Sequence, residues 1–215
     1  MRCLIFANGE IKNYNRYRKY IKGDEYIICA DGGARHVRKL QLVPQLIIGD
    51  MDSVPLELLQ EFRALGCVIK QFPTEKDEVD TELALNEAMK LNPREILVMG
   101  AVGSRLDHTL ANIQLLIRPV MKGINTCLIG NRHIVSLITP SLPGIIEGEQ
   151  GDLLSLLPLT PEVRGVKTRG LKWNLQDNTF KFGHPYGISN VLLEDNAAIK
   201  IKEGIMVLIR VLEEV

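Results

Sequence analysis

The chain has 215 residues, 46% hydrophobic and 24% charged, which excludes a disordered chain and allows one large domain or two modest ones. Lys plus Arg and Asp plus Glu both number 26, so the formal net charge is zero and the basic excess typical of nucleic-acid binders is missing. No stretch approaches a membrane span, and the N-terminal apolar run is shorter than that of a secretory signal; the sequence therefore predicts a cytoplasmic protein that binds neither nucleic acid nor membrane.

In chain order, short apolar runs at 3–8 (CLIFAN), 26–31 (YIICAD), 46–50 (LIIGD), 67–72 (CVIKQF), 95–101 (EILVMGA) and 125–130 (NTCLIG) read as strands. Their continuous Val, Ile, Leu and Cys content predicts burial on both faces. Helical spacing of apolar residues appears between them, over 32–40, 54–65, 77–91 and 106–122. Pro55 suits the first turn of its helix and Gly66 the stop after it. Such alternation predicts a mostly parallel α/β sheet with helices on both faces, over residues 1–132. From 133 to 215 no amphipathic helix follows. The runs at 133–138, 152–159, 163–171 and 198–212, punctuated by Gly, Pro, Asn and Asp, predict a smaller all-β domain. Cys3, Cys29, Cys67 and Cys127 form no C-x-x-C pair and lie in or beside apolar runs, so they read as buried thiols rather than a disulfide frame or zinc site.

Open α/β sheets bind ligands beyond the carboxyl ends of their strands. Four successive strand ends carry acids here: Asp31, then Asp50 with Asp52, then Asp77 with Asp80, then Asp107. Asp50 and Asp52 by themselves suit either ordinary turn positions or a shared cation. Asp77 and Asp80 are expected on one face at a helix start, with Thr74 at capping-box spacing, so Asp77 is balanced between a cap-region carboxylate and a ligand. Asp50, Asp52 and Asp80 together offer hard oxygen ligands for Mg²⁺. Gly32 and Gly33 in one turn, and Gly103 and Ser104 in another, are candidates for close backbone approach to phosphate, with Arg105 as a fork-shaped cation beside them. The residue types thus describe a metal–nucleoside-phosphate site. Trp173, the single tryptophan, is expected in the core or at a domain interface rather than on a ligand. The histidines show no metal spacing: His36, His133 and His184 read as structural or exposed, and His108 stays open.

The segments CADGGA (Cys29–Ala34), GDMDS (Gly49–Ser53), PTEKDEVDTELAL (Pro73–Leu85), GAVGSRLDHTLAN (Gly100–Asn112), GLKWNL (Gly170–Leu175) and GISN (Gly187–Asn190) resemble, in order, those of thiamine pyrophosphokinases. The resemblance implies an α/β domain followed by a β-sandwich, assembled as a homodimer. It also implies transfer of the pyrophosphoryl group of ATP to the hydroxyl of thiamine with Mg²⁺, giving thiamine diphosphate and AMP. By motif match, Asp50, Asp52 and Asp80 would hold metal and phosphate, with Asp31 a further acidic site residue. Arg105 and Asp107 would contact nucleotide or phosphate. Trp173 would lie against the thiamine pyrimidine, with Ser189 and Asn190 nearby, between the α/β domain of one subunit and the β domain of the other. The pattern departs at Val79, where the family commonly has Thr. Asp31, Asp107 and solvent stay open as the base that takes the hydroxyl proton. Two competing readings are a D-x-D nucleotide-sugar transferase, which leaves the later segments unexplained, and a non-catalytic thiamine or nucleotide sensor, which has no need of the full acid set.

Overall fold

The structure is a computed structural model and describes residues 1–75 and 77–212. The chain divides into two compact units, Met1–Leu115 with Ile124–Asn131, and Leu116–Gly123 with Arg132–Val215. Among the described residues, no helix is long and apolar enough to cross a membrane.

The first unit contains β1 (Arg2–Phe6), α1 (Tyr14–Arg18), β2 (Tyr26–Ala30), α2 (Ala34–Lys39), β3 (Leu46–Gly49), α3 (Leu56–Ala64), β4 (Val68–Gln71), α4 (Asp80–Lys90), β5 (Glu95–Met99), α5 (Leu106–Leu115) and β6 (Asn125–Ile129). Its strands run in the order β6-β5-β1-β2-β3-β4. Every pair is parallel, so all carboxyl ends fall on one edge. β1 is buried throughout, and α4 lays Leu83, Ala84, Leu85, Ala88 and Met89 against β1–β3. Burial of that face is the main term holding α4, at about 2 kcal/mol for each large aliphatic side chain.

At the amino ends of the strands Arg2 is buried. It donates to Glu25 at 2.9 Å, to Glu95 at 2.6 Å and to the Tyr20 carbonyl at 3.2 Å, while Glu25 also accepts from the Lys22 and Gly23 amides. This network satisfies a buried charge that would otherwise be costly to desolvate.

Four expectations are corrected. β4 is not buried on both faces: it is the last strand of the sheet, and Val68, Lys70 and Gln71 are exposed. The charged and amide residues suit an edge, where they discourage further strand addition. The helix expected over 106–122 is broken after Leu115, with α6 confined to Ile117–Val120. Pro119 has no amide hydrogen, and its ring crowds the carbonyl four residues back, that of Leu115. α4 starts at Asp80 rather than Asp77. Finally, the apolar run 198–212 is two strands separated by Gly204, whose φ is +89°.

The second unit holds α6 and β7 (His133–Ile138), β8 (Gly144–Glu147), β9 (Leu153–Pro158), β10 (Glu162–Arg169), β11 (Gln176–Lys181), β12 (Asn190–Val191), β13 (Asn196–Lys200) and β14 (Met206–Val211). One layer has the order β12-β9-β14-β7 and the other β11-β10-β13-β8, all antiparallel. Alternating side chains such as Leu154 and Leu156, Val163 and Val166, Phe180, Ile199 and Leu208 form a shared core. This is a β-sandwich. The cysteines are free; burial pushes the Cys3 and Cys67 thiols up to about 11, which keeps them protonated and unreactive.

Candidate active site

The parallel sheet explains why the acids converge. β2 and β3 are neighbours, so the residues that follow them come side by side. Asp31 directly follows β2 in a left-handed conformation (φ +44°), which an L-residue adopts at a cost. Its side chain is buried, and among the described residues Oδ1 has no hydrogen-bond partner. After β3 the chain turns through Gly49, with φ +149°, and Met51, with φ +67°. That turn directs Asp50 and Asp52 toward Asp31: one carboxylate oxygen from each of the three lies within 4.8 Å of the others. The Asp52 amide donates to Asp50 Oδ1 at 3.2 Å, and Ser53 Oγ donates to Asp52 Oδ1 at 2.7 Å, so the turn holds itself. Asp80, at the first position of α4, reaches the same face of Gly49 as Asp31. A Cβ placed on Gly49 would lie 3.0 Å from Asp31 Cβ and 3.1 Å from Asp80 Oδ1, so the absence of a side chain there lets the two acids close in. Asp31 therefore belongs to the tightest acidic group, a position that its separation in sequence from Asp50 and Asp52 does not reveal.

Asp77 does not share a helical face with Asp80. It lies in the bend before α4, is exposed, and the N-cap residue is Val79, which makes no side-chain cap bond. The capping-box reading of Thr74 falls with it. Position 79 is thus a helix cap, where Thr is favoured because its hydroxyl takes an orphan amide. Val79→Thr is expected to stabilise the protein by about 1 kcal/mol in urea unfolding; an unchanged midpoint would mean that these amides are already satisfied.

The glycines divide into two kinds. Gly32 and Gly33 are buried without positive φ, and a Cβ on Gly33 would overlap the Phe6 carbonyl of β1. Packing against backbone requires the missing side chain at Gly33, whereas a Cβ on Gly32 would meet only the side-chain amide of exposed Asn8. Gly103 is exposed and open, and among the described residues beyond its chain neighbours no atom lies within 4 Å of its Cβ position. Thr109 Oγ1 accepts from its amide at 3.2 Å and donates to its carbonyl at 3.3 Å, which ties the turn to α5; Ser104 beside it is exposed.

Arg105 Nη2 meets Asp107 Oδ2 at 2.6 Å, and both side chains are exposed. The arginine's hydrogen bond holds the Asp107 carboxyl down to about 2. A carboxylate that acidic is a poor proton acceptor near neutral pH. His108 Nε2 lies 4.0 Å from the same oxygen. His36 is structural: Gly9 O only accepts, so His36 Nε2 carries the proton in that 2.8 Å bond, and Nδ1 accepts from Tyr14 Oη at 2.7 Å. Burial holds its pKa below the ordinary histidine value.

In the β-sandwich, Trp173 is 55% exposed, which overturns the expectation of a core residue. Its backbone is clamped by Asn190: Trp173 N donates to Asn190 Oδ1 at 3.1 Å and Asn190 Nδ2 donates to Trp173 O at 2.8 Å. Ser189 is left-handed (φ +57°), and its amide donates to Ser155 Oγ at 3.2 Å. The two sequence segments carrying Trp173, Ser189 and Asn190 are thus one local structure.

Residues 17–128 match the family model for the thiamin pyrophosphokinase catalytic domain, and residues 145–206 that for the thiamin pyrophosphokinase vitamin B1 binding domain. The chain is 27% identical over 183 residues to the thiamine pyrophosphokinase of Bacillus subtilis, covering 85% of this chain and 86% of that protein. The crystal structure of thiamine pyrophosphokinase from Bacillus subtilis superposes with a TM-score of 0.89 at 25% identity, over 100% of both chains. A thiamin pyrophosphokinase family protein from Enterococcus faecalis gives 0.81 at 28% identity, also over 100% of both. With both family models matched in order across the α/β unit and the β-sandwich, the chain belongs to the thiamin pyrophosphokinase family.

Proposed function

We propose that the protein is a thiamine pyrophosphokinase, transferring the pyrophosphoryl group of ATP to the hydroxyl of thiamine and releasing AMP, as a cytoplasmic homodimer. The observation that carries this reading is the Asp31–Asp50–Asp52 group on the carboxyl edge of the parallel sheet, inside the region matched by the catalytic-domain model. The donor set suits Mg²⁺: every ligand is a hard carboxylate oxygen, and among the described residues the buried Asp31 Oδ1 lacks a hydrogen-bond partner. Asp50, Asp52, Asp31 and Asp80 would hold the cation. When bound, it supplies positive charge that neutralises the triphosphate and favours loss of AMP.

The chain's own residues supply position and charge. Residues 1–132 are assigned the nucleotide and metal, residues 133–215 the thiamine. Arg105 is oriented by Asp107 and offers its remaining donors to phosphate, and the exposed turn at Gly103 and Ser104 allows close approach of the backbone. Asp107, held near 2, is assigned this orienting role and not that of a base. The tight packing of Gly33 on β1, and of Gly32 under the Asn8 amide, gives this turn a role in fixing Asp31. Asp77, exposed in the bend before α4, is assigned a place beside the nucleotide rather than among the grouped carboxylates. Catalysis would rest on alignment and electrostatic stabilisation rather than on covalent chemistry.

The deciding experiment measures AMP and thiamine diphosphate formed from ATP and thiamine, with and without Mg²⁺. Stoichiometric, Mg²⁺-dependent formation of both is expected; binding of either substrate with no AMP formed would overturn the reading in favour of a sensor. Trp173 offers an exposed aromatic face for the thiamine ring, with Lys172 Nζ 4.9 Å from its centroid. Trp173→Ala is expected to raise the thiamine KM about tenfold with little change in the ATP KM. An unchanged thiamine KM would return Trp173 to a purely structural role.

A further inference from the structure

The carboxyl end of β1 carries no acid, yet it lies at the switch point of the sheet. β1 has β2 on one side and β5 on the other, and successive strands leave it in opposite directions. Open α/β sheets bind nucleotides at such a point. Here the two strand ends are bare backbone: Gly9 N donates to Gly100 O at 2.9 Å, and a Cβ on Gly100 would come within 2.6 Å of Ala7 O.

Next to this point stands an arginine that the family segments do not single out. Arg35, in the first turn of α2, donates through Nη2 to Asn8 Oδ1, and both residues are exposed. A Cβ on Gly32 would fall on the Asn8 amide, so Asn8 reaches over the turn that also carries Asp31. The charge balance calls for a cation here. A polyphosphate arriving at this edge meets Asp31, Asp50, Asp52 and Asp80, while Arg105 is already paired with Asp107 at 2.6 Å. Among the described residues Arg35 makes no ion pair, and its hydrogen-bond partner is a neutral amide, which orients the guanidinium without neutralising it. Its remaining N–H groups keep the fork geometry that matches phosphate oxygens.

We propose that Arg35 binds the nucleotide phosphate that leaves with AMP, and that Asn8 is the positioning residue that aims it. The β-phosphorus that is transferred belongs at the acidic group between β2 and β3, and Arg35 lies one strand nearer the switch point. This assignment rests on the pyrophosphokinase reading.

The test is calorimetric titration with AMP of the full-length wild type and of Arg35→Gln, Arg35→Lys and Asn8→Ala, together with titration by thiamine diphosphate. Arg35→Gln is expected to weaken AMP at least about tenfold and to raise the ATP KM by a similar factor. Thiamine KM, thiamine diphosphate affinity and thermal midpoint stay near wild type. Arg35→Lys restores part of the loss because it keeps the charge, and Asn8→Ala gives an intermediate loss. Wild-type AMP affinity in Arg35→Gln would overturn the proposal, as would an equal loss for AMP and thiamine diphosphate, which would mark a general surface-charge effect. If the wild type forms no AMP, the pyrophosphokinase reading fails by itself, while direct AMP binding still decides the role of Arg35.

Discussion

Asp31→Asn is expected to leave a folded protein that has lost nearly all pyrophosphoryl transfer, by a factor of about 10²–10³ or more in kcat. The substitution is nearly isosteric, and Asn tolerates the left-handed backbone that Asp31 adopts at φ +44°. What it removes is one negative charge from three carboxylates whose oxygens lie within 4.8 Å. Without a cation, such a group is self-repelling, so the thermal midpoint of the metal-free variant should match or exceed that of the wild type. Adding Mg²⁺ should then raise the wild-type midpoint and fail to raise that of the variant, since a ligand stabilises only the state that binds it. The paired measurement separates a metal-holding role from a folding role. Wild-type turnover together with an undiminished Mg²⁺ shift would remove Asp31 from the site and leave Asp50, Asp52 and Asp80 to form it.

The parallel sheet was legible in the sequence because its strands are nearly continuous apolar runs and its helices carry clear periodicity. Where burial is partial, that signal fades. β4 reads as apolar in isolation, yet it sits at the sheet edge, and only Lys70 and Gln71 hint at this. α1 was not legible at all: it spans five residues and buries only Tyr17, too little for a periodic pattern. The run 198–212 looked like one segment because the turn at Gly204 interrupts it without a cluster of breakers. In the site, the strand-end rule found the acids because parallel pairing places every carboxyl end on one edge. It could not rank them, since the ranking depends on lateral neighbours and on the conformations of Asp31, Gly49 and Met51. Asn8 and Arg35 escaped it because the first strand end carries no acid. Residue type alone placed Trp173 in the core, whereas the family resemblance placed it on a ligand; its exposed position on a loop clamped by Asn190 is encoded by no local pattern.

Gly33→Ala is expected to destabilise the protein by about 3 kcal/mol or more, measured by urea unfolding, and to lower kcat as a consequence. Gly33 has φ −56°, an ordinary helical value, so glycine is not needed there for backbone freedom. It is needed for space. The added Cβ would overlap the carbonyl oxygen of Phe6, and that atom has nowhere to go: β1 is fully buried and paired on both sides, to β2 and to β5. Relief must come from the turn that holds Gly33, and that turn also holds Asp31 two residues earlier. A shift of even a fraction of an ångström there would loosen the acidic group, so stability and turnover should fall together. The alternative role of Gly33, an open backbone for phosphate approach, makes a different forecast. In that case Gly33→Ala would keep the wild-type unfolding midpoint and raise the ATP KM, and the packing account would fail.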